Sequence, residues 1–93
     1  MIQSSMSRVL KIINKRGLHA RASARFVQVT EDFDAEVRVS RDGTTVGGTS
    51  IMGLMLLAAS LGSTIHVEAS GTEAEAVLDA LDELVSTKFG EDE

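Results

Sequence analysis

Cysteine, proline, tryptophan and tyrosine are absent from this 93-residue sequence, and only 3% of its residues are aromatic. The absence of cysteine excludes disulfides, thiolate metal sites and thiol nucleophiles. With so few aromatic side chains, the chain is not expected to bind RNA or DNA on a base-stacking sheet. Its formal net charge of −5 also opposes non-specific attraction to nucleic acid or anionic lipid. Proteins are therefore the expected partners.

Long hydrophobic runs are missing too. The longest apolar stretch, residues 51–61, is broken by Gly53 and Ser60 and is much shorter than the ~20 residues needed to span a bilayer. We therefore expect no membrane insertion. Residues 1–7 lack the basic and apolar regions of a secretion signal. Together with the chain length, these features predict a cytoplasmic protein in which residues 1–93 form a single domain.

The hydrophobic periodicity predicts four short strands and three helices in the order β-α-β-β-α-β-α. Asp42-Gly43 indicates a tight hairpin, while Ser50 and the Thr-x-x-Glu capping box at residues 72–75 indicate helix starts. Because each helix carries one apolar stripe, the pattern favours an α+β fold with a four-stranded antiparallel sheet and all three helices on one face. The predicted strands cover residues 8–13, 35–40, 44–46 and 63–69. One predicted helix begins after His19, the second covers residues 51–57 and the third begins after residue 72.

Apolar positions in the first and third helices predict which side chains enter the core. Gly90 follows the third helix where a C-terminus is expected. The sequence Glu-Asp-Glu at residues 91–93 then forms a short acidic tail. The predicted stripes are Ala22, Phe26, Val29 and Phe33 in the first helix and Val77, Leu78, Leu81, Leu84 and Val85 in the third.

The segment most informative about chemistry is residues 14–21, which place His19 between a loop and a helix N-terminus. The free backbone N–H groups of Ala20 and Arg21 and the positive end of the helix dipole make an anion site there. A phosphoryl group on His19 would be held by these amides and by the guanidinium of Arg21. The same positive end disfavours protonation of the imidazole, which leaves a lone pair for nucleophilic attack.

Structural interpretations of the same residues stay open. His19 could merely end the loop and cap the helix, and Arg16 could be a solvated loop charge. The second histidine, His66, alternates with apolar residues and shares a strand face with Glu68. We therefore expect His66 to be solvated on the sheet and to take no part in catalysis.

Two segments of the chain resemble the signatures of one family. Gly17-Leu18-His19-Ala20-Arg21 and, about thirty residues later, Ser50-Ile51-Met52-Gly53-Leu54-Met55 are similar to those of HPr, the histidine-containing phosphocarrier of the bacterial phosphoenolpyruvate-dependent phosphotransferase system. The similarity runs from about residue 8 to residue 89. It implies the HPr fold, an open-faced β-sandwich, and a carrier that is transiently phosphorylated and is not an enzyme.

The resemblance also implies roles for residues and partners. His19 accepts phosphate from a phosphohistidine on enzyme I and passes it to an enzyme IIA domain, and Arg21 stabilises the phosphate. Ser50 corresponds to the serine that an HPr kinase/phosphorylase phosphorylates in some bacteria as a regulatory mark. The family usually has proline where this chain has Ala22. We expect this difference to loosen the loop by about 0.4–1 kcal/mol and to leave the nucleophile intact.

The second signature is too apolar on all sides for a short helix that only covers a sheet. We therefore expect Leu54 and Leu57 to enter the core and some of the other apolar side chains to form a docking patch beside His19. The residues of this docking patch are Ile51, Met52 and Met55.

Other functions remain as alternatives. A carrier of the nitrogen-related branch, which regulates metabolism and ion transport without moving sugars, is nearly as well supported, because residues 33–37 and 91–93 resemble that branch. A second alternative is a protein-binding regulatory module that uses residues 51–55 and never carries phosphate on His19. A self-contained enzyme is disfavoured, because the sequence shows no second acid or base beside His19, no metal-ligand cluster and no nucleotide-binding glycine loop. We expect a monomer without metal or cofactor.

Overall fold

The structure, a computed structural model, describes residues 5–93. Residues 1–4, part of the segment in which no secretion signal is predicted, lie outside this description. Within residues 5–93 the chain forms four strands and three α-helices in the predicted order, followed by a 3-10 turn at Lys88–Gly90. The strands are β1 (Ser5–Lys11), β2 (Glu36–Arg41), β3 (Thr44–Gly47) and β4 (Thr64–Ser70), and the helices are α1 (Ala20–Glu31), α2 (Ile51–Leu56) and α3 (Ala74–Ser86).

The four strands form one open antiparallel sheet in the order β1-β4-β2-β3. Central strand β4 alternates buried and exposed side chains along its length. Its buried residues share the core with the apolar faces of the helices, which confirms the predicted α+β fold. No helix within residues 5–93 has the length and the apolar character to cross a bilayer.

The turn between β2 and β3 follows its sequence signal. Asp42 and Gly43 have φ angles of 51° and 84°. Two successive positive φ angles match the tight turn that best suits the twist of an antiparallel hairpin, and Asp-Gly tolerates them well. The predicted hairpin is therefore confirmed.

The predicted stripe of helix α1 is confirmed, with Ala22 and Phe26 buried and Val29 and Phe33 half-buried against the core. The helix ends at Glu31, so Phe33 packs from beyond it. Two small polar side chains also enter the core, because each donates a hydrogen bond to a backbone carbonyl: Ser23 to Leu18 at 3.1 Å and Thr30 to Phe26 at 3.0 Å. The buried residues of α1 are Ala22, Ser23, Phe26, Val27 and Thr30.

The predicted capping box of α3 is wrong. The helix begins at Ala74, and its N-cap position is Glu73, which makes no side-chain capping bond. Thr72 instead donates to the carboxylate of Asp34 at 2.8 Å, and the Glu73 carboxylate accepts from the Asp34 N–H at 2.7 Å. These tertiary partners outcompete the local box. The apolar stripe itself is confirmed, with Val77, Leu78, Leu81 and Val85 buried and Leu84 half-buried.

Candidate functional site

His19 is the N-cap residue of α1. Its backbone is extended, with φ −74° and ψ −177°, and its Nδ1 accepts a hydrogen bond from the Arg21 N–H at 3.3 Å. Its side chain is 24% exposed. The structure therefore places His19 where the sequence predicts it, at the positive end of a 12-residue helix.

Gly17 fixes the loop that leads to His19. It lies in the left-handed region, at φ 66°, and a Cβ added there would overlap the carbonyl oxygen of Ala59. The next residue, Leu18, is buried and donates its N–H to the same carbonyl at 2.9 Å. Because only glycine fits this close backbone approach, Gly17 holds the loop against the segment that follows α2.

The imidazole of His19 has a carboxylate partner on its other side, Glu91. Glu91 Oε2 lies 2.5 Å from His19 Nε2, and Glu91 Oε1 accepts from Asn14 Nδ2 at 3.0 Å. Asn14 is completely buried, and the Glu91 side chain is 18% exposed. The expectation that no second acid or base lies beside His19 is therefore wrong. The sequence analysis assigned Glu91 only to a short acidic tail and therefore did not predict its contact with His19.

A left-handed turn brings Glu91 to His19. Helix α3 ends at Ser86, and then Lys88, Phe89 and Gly90 take φ angles of 61°, 55° and 78°. The Phe89 side chain is completely buried, so the core anchors the turn. The only sequence signal for this arrangement is a phenylalanine followed by glycine after a helix, which indicates a helix end but not where the chain goes next.

The hydrogen bonds around Glu91 determine its ionisation. Burial raises the pKa of Glu91, but hydrogen bonds from Asn14 and His19 and the nearby charges of His19 and Arg16 outweigh burial, so the pKa lies below its ordinary value. The ionised carboxylate can only accept hydrogen bonds.

A cleft of about 750 Å³, lined by four basic and three acidic residues, borders the pair formed by His19 and Glu91. The backbone N–H of Lys15 donates to the carbonyl of Glu93, and Lys15 Nζ lies 3.8 Å from a Glu93 carboxylate oxygen. The Arg21 side chain is exposed, and within residues 5–93 its guanidinium makes no hydrogen bond or ion pair, which leaves its donors free for an anion. The basic residues lining the cleft are Lys15, Arg16, Arg21 and Arg25.

Ser50 is the N-cap residue of α2, as predicted. Its hydroxyl oxygen accepts from the Gly53 N–H at 2.9 Å, and its side chain is exposed. Arg41 supports the other end of this short helix, because its guanidinium donates to the carbonyl of Leu57 at 3.0 Å.

The docking patch predicted on α2 is exposed. Met52 is 76% exposed, whereas Leu54 and Leu57 are buried as predicted. Met55 and His19 line the same shallow cavity, so the docking patch lies beside the histidine. Leu56, which the sequence analysis did not assign to the patch, is 75% exposed. The exposed apolar residues of α2 are Ile51, Met52, Met55 and Leu56.

His66 lies apart from this site. It is exposed on β4, opposite Val9 of β1 and Ser40 of β2, on the sheet face that the helices do not cover. Its location agrees with the predicted solvated position. No group of three or more potential metal-ligating side chains occurs in the described part of the chain.

Comparison with known proteins places this geometry among phosphocarriers. A family model described as the PTS HPr component phosphorylation site matches residues 6–87. The phosphocarrier protein HPr of Cupriavidus necator is 47% identical over 88 residues, covering 95% of this chain and 99% of the relative. The phosphocarrier protein NPr of Shewanella violacea is 36% identical, covering 95% and 97%. The crystal structure of HPr-C-His from Thermoanaerobacter tengcongensis superimposes with a TM-score of 0.90 at 39% identity, covering 95% and 99%.

Proposed function

The chain belongs to the HPr family of phosphocarrier proteins, and we propose that it accepts a phosphoryl group on His19 from phosphorylated enzyme I and transfers it to an enzyme IIA domain. The observation that carries this proposal is the position of His19 as the N-cap of α1, with Nδ1 beside the Arg21 N–H. A phosphoryl group at this point lies at the positive end of a helix.

The contacts of the ring favour Nδ1 as the attacking nitrogen. Nε2 is covered by the carboxylate of Glu91 at 2.5 Å, whereas the one hydrogen bond that Nδ1 makes within residues 5–93 is the long one, 3.3 Å, from the Arg21 N–H. When the Nδ1 lone pair attacks phosphorus, the phosphoryl oxygens can accept from the amides of Ala20 and Arg21 and from the free guanidinium. Since the partner proteins supply the other reacting groups, we propose a carrier and not an enzyme.

The docking patch supports contact with those partners. Helix α2 presents exposed apolar side chains, of which Met55 lines the same shallow cavity as His19. Two of the predicted docking residues, Met52 and Met55, have flexible side chains that can adapt to more than one partner surface. We propose that enzyme I and enzyme IIA dock here in turn, with Ile51, Met52 and Met55 in the contact.

Ser50 is proposed as a regulatory phosphorylation site for an HPr kinase/phosphorylase. Its hydroxyl is exposed at the start of α2, next to the docking patch. A phosphate there adds negative charge beside apolar side chains that must be desolvated for docking, so it weakens binding to enzyme I. ATP-dependent incorporation of phosphate that is lost in Ser50→Ala tests this role, and equal incorporation in the variant contradicts it.

The decisive experiment mixes the protein with phosphoenolpyruvate and enzyme I and follows it by phosphorus NMR and acid-lability mass spectrometry. We expect an acid-labile adduct on His19 that is absent from His19→Ala. His66→Ala is the matched control and keeps the adduct, because His66 lies on the uncovered sheet face. No adduct in the presence of an active donor contradicts the proposal and favours a protein-binding module that works without phosphate.

The branch of the system is open to a direct test. The NPr relative supports the nitrogen-related branch as a second candidate beside the sugar-transport branch of HPr. Transfer rates from the phosphorylated protein to purified enzyme IIA proteins of each branch separate the two, since the cognate acceptor is phosphorylated much faster.

The remaining proposals concern the state of the protein in the cell. We propose a cytoplasmic monomer in which residues 1–93 form one HPr domain. The net charge of −5 and the scarcity of aromatic residues support protein partners over nucleic acid.

A further inference from the structure

We propose that Glu91 is a positioning residue for His19, which holds the ring as the Nε2–H tautomer and balances the positive charge that the ring gains when Nδ1 carries a phosphoryl group. This inference rests on the proposed function for its consequence in phosphoryl transfer. Its first part, the tautomer, concerns the unphosphorylated protein and stands independently.

Two hydrogen bonds on opposite sides of the ring define the tautomer. The Arg21 N–H can only donate, so His19 Nδ1 must accept. The ionised Glu91 carboxylate can only accept, so Nε2 must donate across the 2.5 Å contact. A carboxylate that holds one imidazole nitrogen protonated leaves the other nitrogen with its lone pair directed at the reacting group.

The structure holds Glu91 in place from both ends. Asn14, completely buried, donates from Nδ2 to the Gly17 carbonyl at 2.9 Å and to Glu91 Oε1 at 3.0 Å. On the backbone side, Lys88 and Phe89 adopt left-handed conformations that are disfavoured for residues with a Cβ. The buried Phe89 ring holds them there. A solvated tail would not need these two unfavourable backbone conformations. The chain adopts them here, and they bring Glu91 into contact with His19.

The transfer step shows what the carboxylate contributes. The Nδ1 lone pair forms the new N–P bond while the N–P bond of the donor's phosphohistidine breaks, and that electron pair stays on the donor ring. His19 keeps its Nε2 proton, so the phosphorylated ring carries a positive charge beside the Glu91 carboxylate. When the phosphoryl group leaves, its bonding pair returns to Nδ1 and the ring departs as neutral imidazole.

Removing the Glu91 charge should slow the loss of phosphate from His19. Without the carboxylate charge, the phosphorylated ring loses its Nε2 proton at a lower pH, and a ring without that proton is a poorer leaving group. Glu91→Gln should therefore keep phosphate on His19 longer and transfer it more slowly. Glu91→Ala should add to this a loss of tautomer control, because it also removes the hydrogen-bond acceptor.

The first measurement is nitrogen-15 NMR of the unphosphorylated ring at pH 8. In the wild type we expect one protonated nitrogen, Nε2, and one unprotonated nitrogen, Nδ1. In Glu91→Ala the two resonances should move towards each other, because the ring samples both tautomers. Asp92→Asn is the matched control, since it removes the same charge from an exposed neighbour that makes no hydrogen bond or ion pair within residues 5–93. Resonances in Glu91→Ala that match those of Asp92→Asn overturn the assignment of the tautomer to Glu91.

The second measurement uses potassium phosphoramidate to phosphorylate His19 chemically, in a His66→Ala background. The phosphorus resonance of the product, followed against pH, reports when the ring loses its Nε2 proton. We expect this midpoint to fall by about one pH unit in Glu91→Gln and to stay unchanged in Asp92→Asn. Above both midpoints, the phosphate should then be lost up to about tenfold more slowly. Equal midpoints in the three proteins overturn the charge-balancing role.

The two proposals fail in different ways. If enzyme I does not phosphorylate the wild type, the carrier function is wrong, but the tautomer and the chemically prepared phosphohistidine still decide the role of Glu91. If the wild type is phosphorylated and the Glu91 variants behave like Asp92→Asn, the carrier function stands and the role of Glu91 is rejected.

Discussion

Both candidate phosphorylation sites of this protein are helix N-caps, yet their surroundings differ. His19 caps the 12-residue α1 through Nδ1, and Ser50 caps the six-residue α2 through its hydroxyl. Beside His19 lie the Glu91 carboxylate and a cleft lined by basic and acidic residues, whereas Ser50 precedes a helix of exposed apolar side chains. Capping geometry alone therefore does not distinguish the two sites. The charges around the cap support His19 as the site of transfer, and the neighbouring docking patch supports Ser50 as a site of control.

The largest expected effect separates capping from chemistry at His19. Asparagine is a good N-cap but has no nucleophilic nitrogen, so His19→Asn should abolish phosphoryl acceptance, a loss of more than about a thousandfold. The free energy of unfolding should change by less than about 1 kcal/mol, because the cap is retained. Phosphorylation assays with enzyme I and urea denaturation measure the two quantities. A large loss of stability would show that His19 is chiefly structural.

The next effect concerns the loop that holds the α1 cap. Gly17→Ala should destabilise the protein by about 2–3 kcal/mol, since the new Cβ meets the Ala59 backbone and the residue must keep a positive φ. Gly62→Ala is the matched control, because Gly62 also has a positive φ but has open space where the Cβ would lie. It should cost about 1 kcal/mol. Urea denaturation measures the free energy of unfolding of both variants. Equal losses would mean that the close packing at Gly17 does not contribute to stability.

A smaller effect is expected at the cap of α2. Ser50→Ala removes the acceptor for the Gly53 N–H and should cost about 1 kcal/mol of folding free energy. Ser50→Asn restores a capping side chain and should recover most of that loss. Neither change should prevent phosphorylation of His19. A Ser50→Ala protein as stable as the wild type would contradict the capping role.

The smallest expected effect is a change of unfolding free energy with pH at the His19–Glu91 pair, which the Ser50 cap should not show. Because the pKa of Glu91 is lower in the folded protein than its ordinary value of 4.5, ionised Glu91 stabilises the fold above that pH. This stability is lost as the pH falls through the folded pKa. The difference in unfolding free energy between wild type and Glu91→Gln should therefore shrink in acid. The difference for Ser50→Ala should stay constant, because serine does not titrate. A constant Glu91 difference would contradict the ionic contact.

Local signals explain the part of the fold that the sequence predicted. Strand alternation, the Asp42-Gly43 turn and the caps at His19 and Ser50 each depend on residues a few positions apart, so they can be recognised without knowing the rest of the structure. The same holds for the buried stripe of α3. The positions of His19 and Arg21 at the start of α1 were predictable for the same reason, because both lie in one loop and one helical turn.

The incorrect capping box and the missed carboxylate both occur where a residue's partner is distant in the chain. Thr72 donates to Asp34, 38 positions away, and forms no local capping box. Glu91 reaches His19 across 72 positions, because buried Phe89 turns the chain back onto α1.

The sequence by itself determined the order of the elements, the hairpin, two helix caps and the histidine with its helix. Only the tertiary structure decided which carboxylate lies beside that histidine and which residue Thr72 bonds in place of the capping box. The physical reason is that backbone conformation and capping depend on near neighbours, whereas a buried pair such as Asn14 and Glu91 forms only after the core has packed.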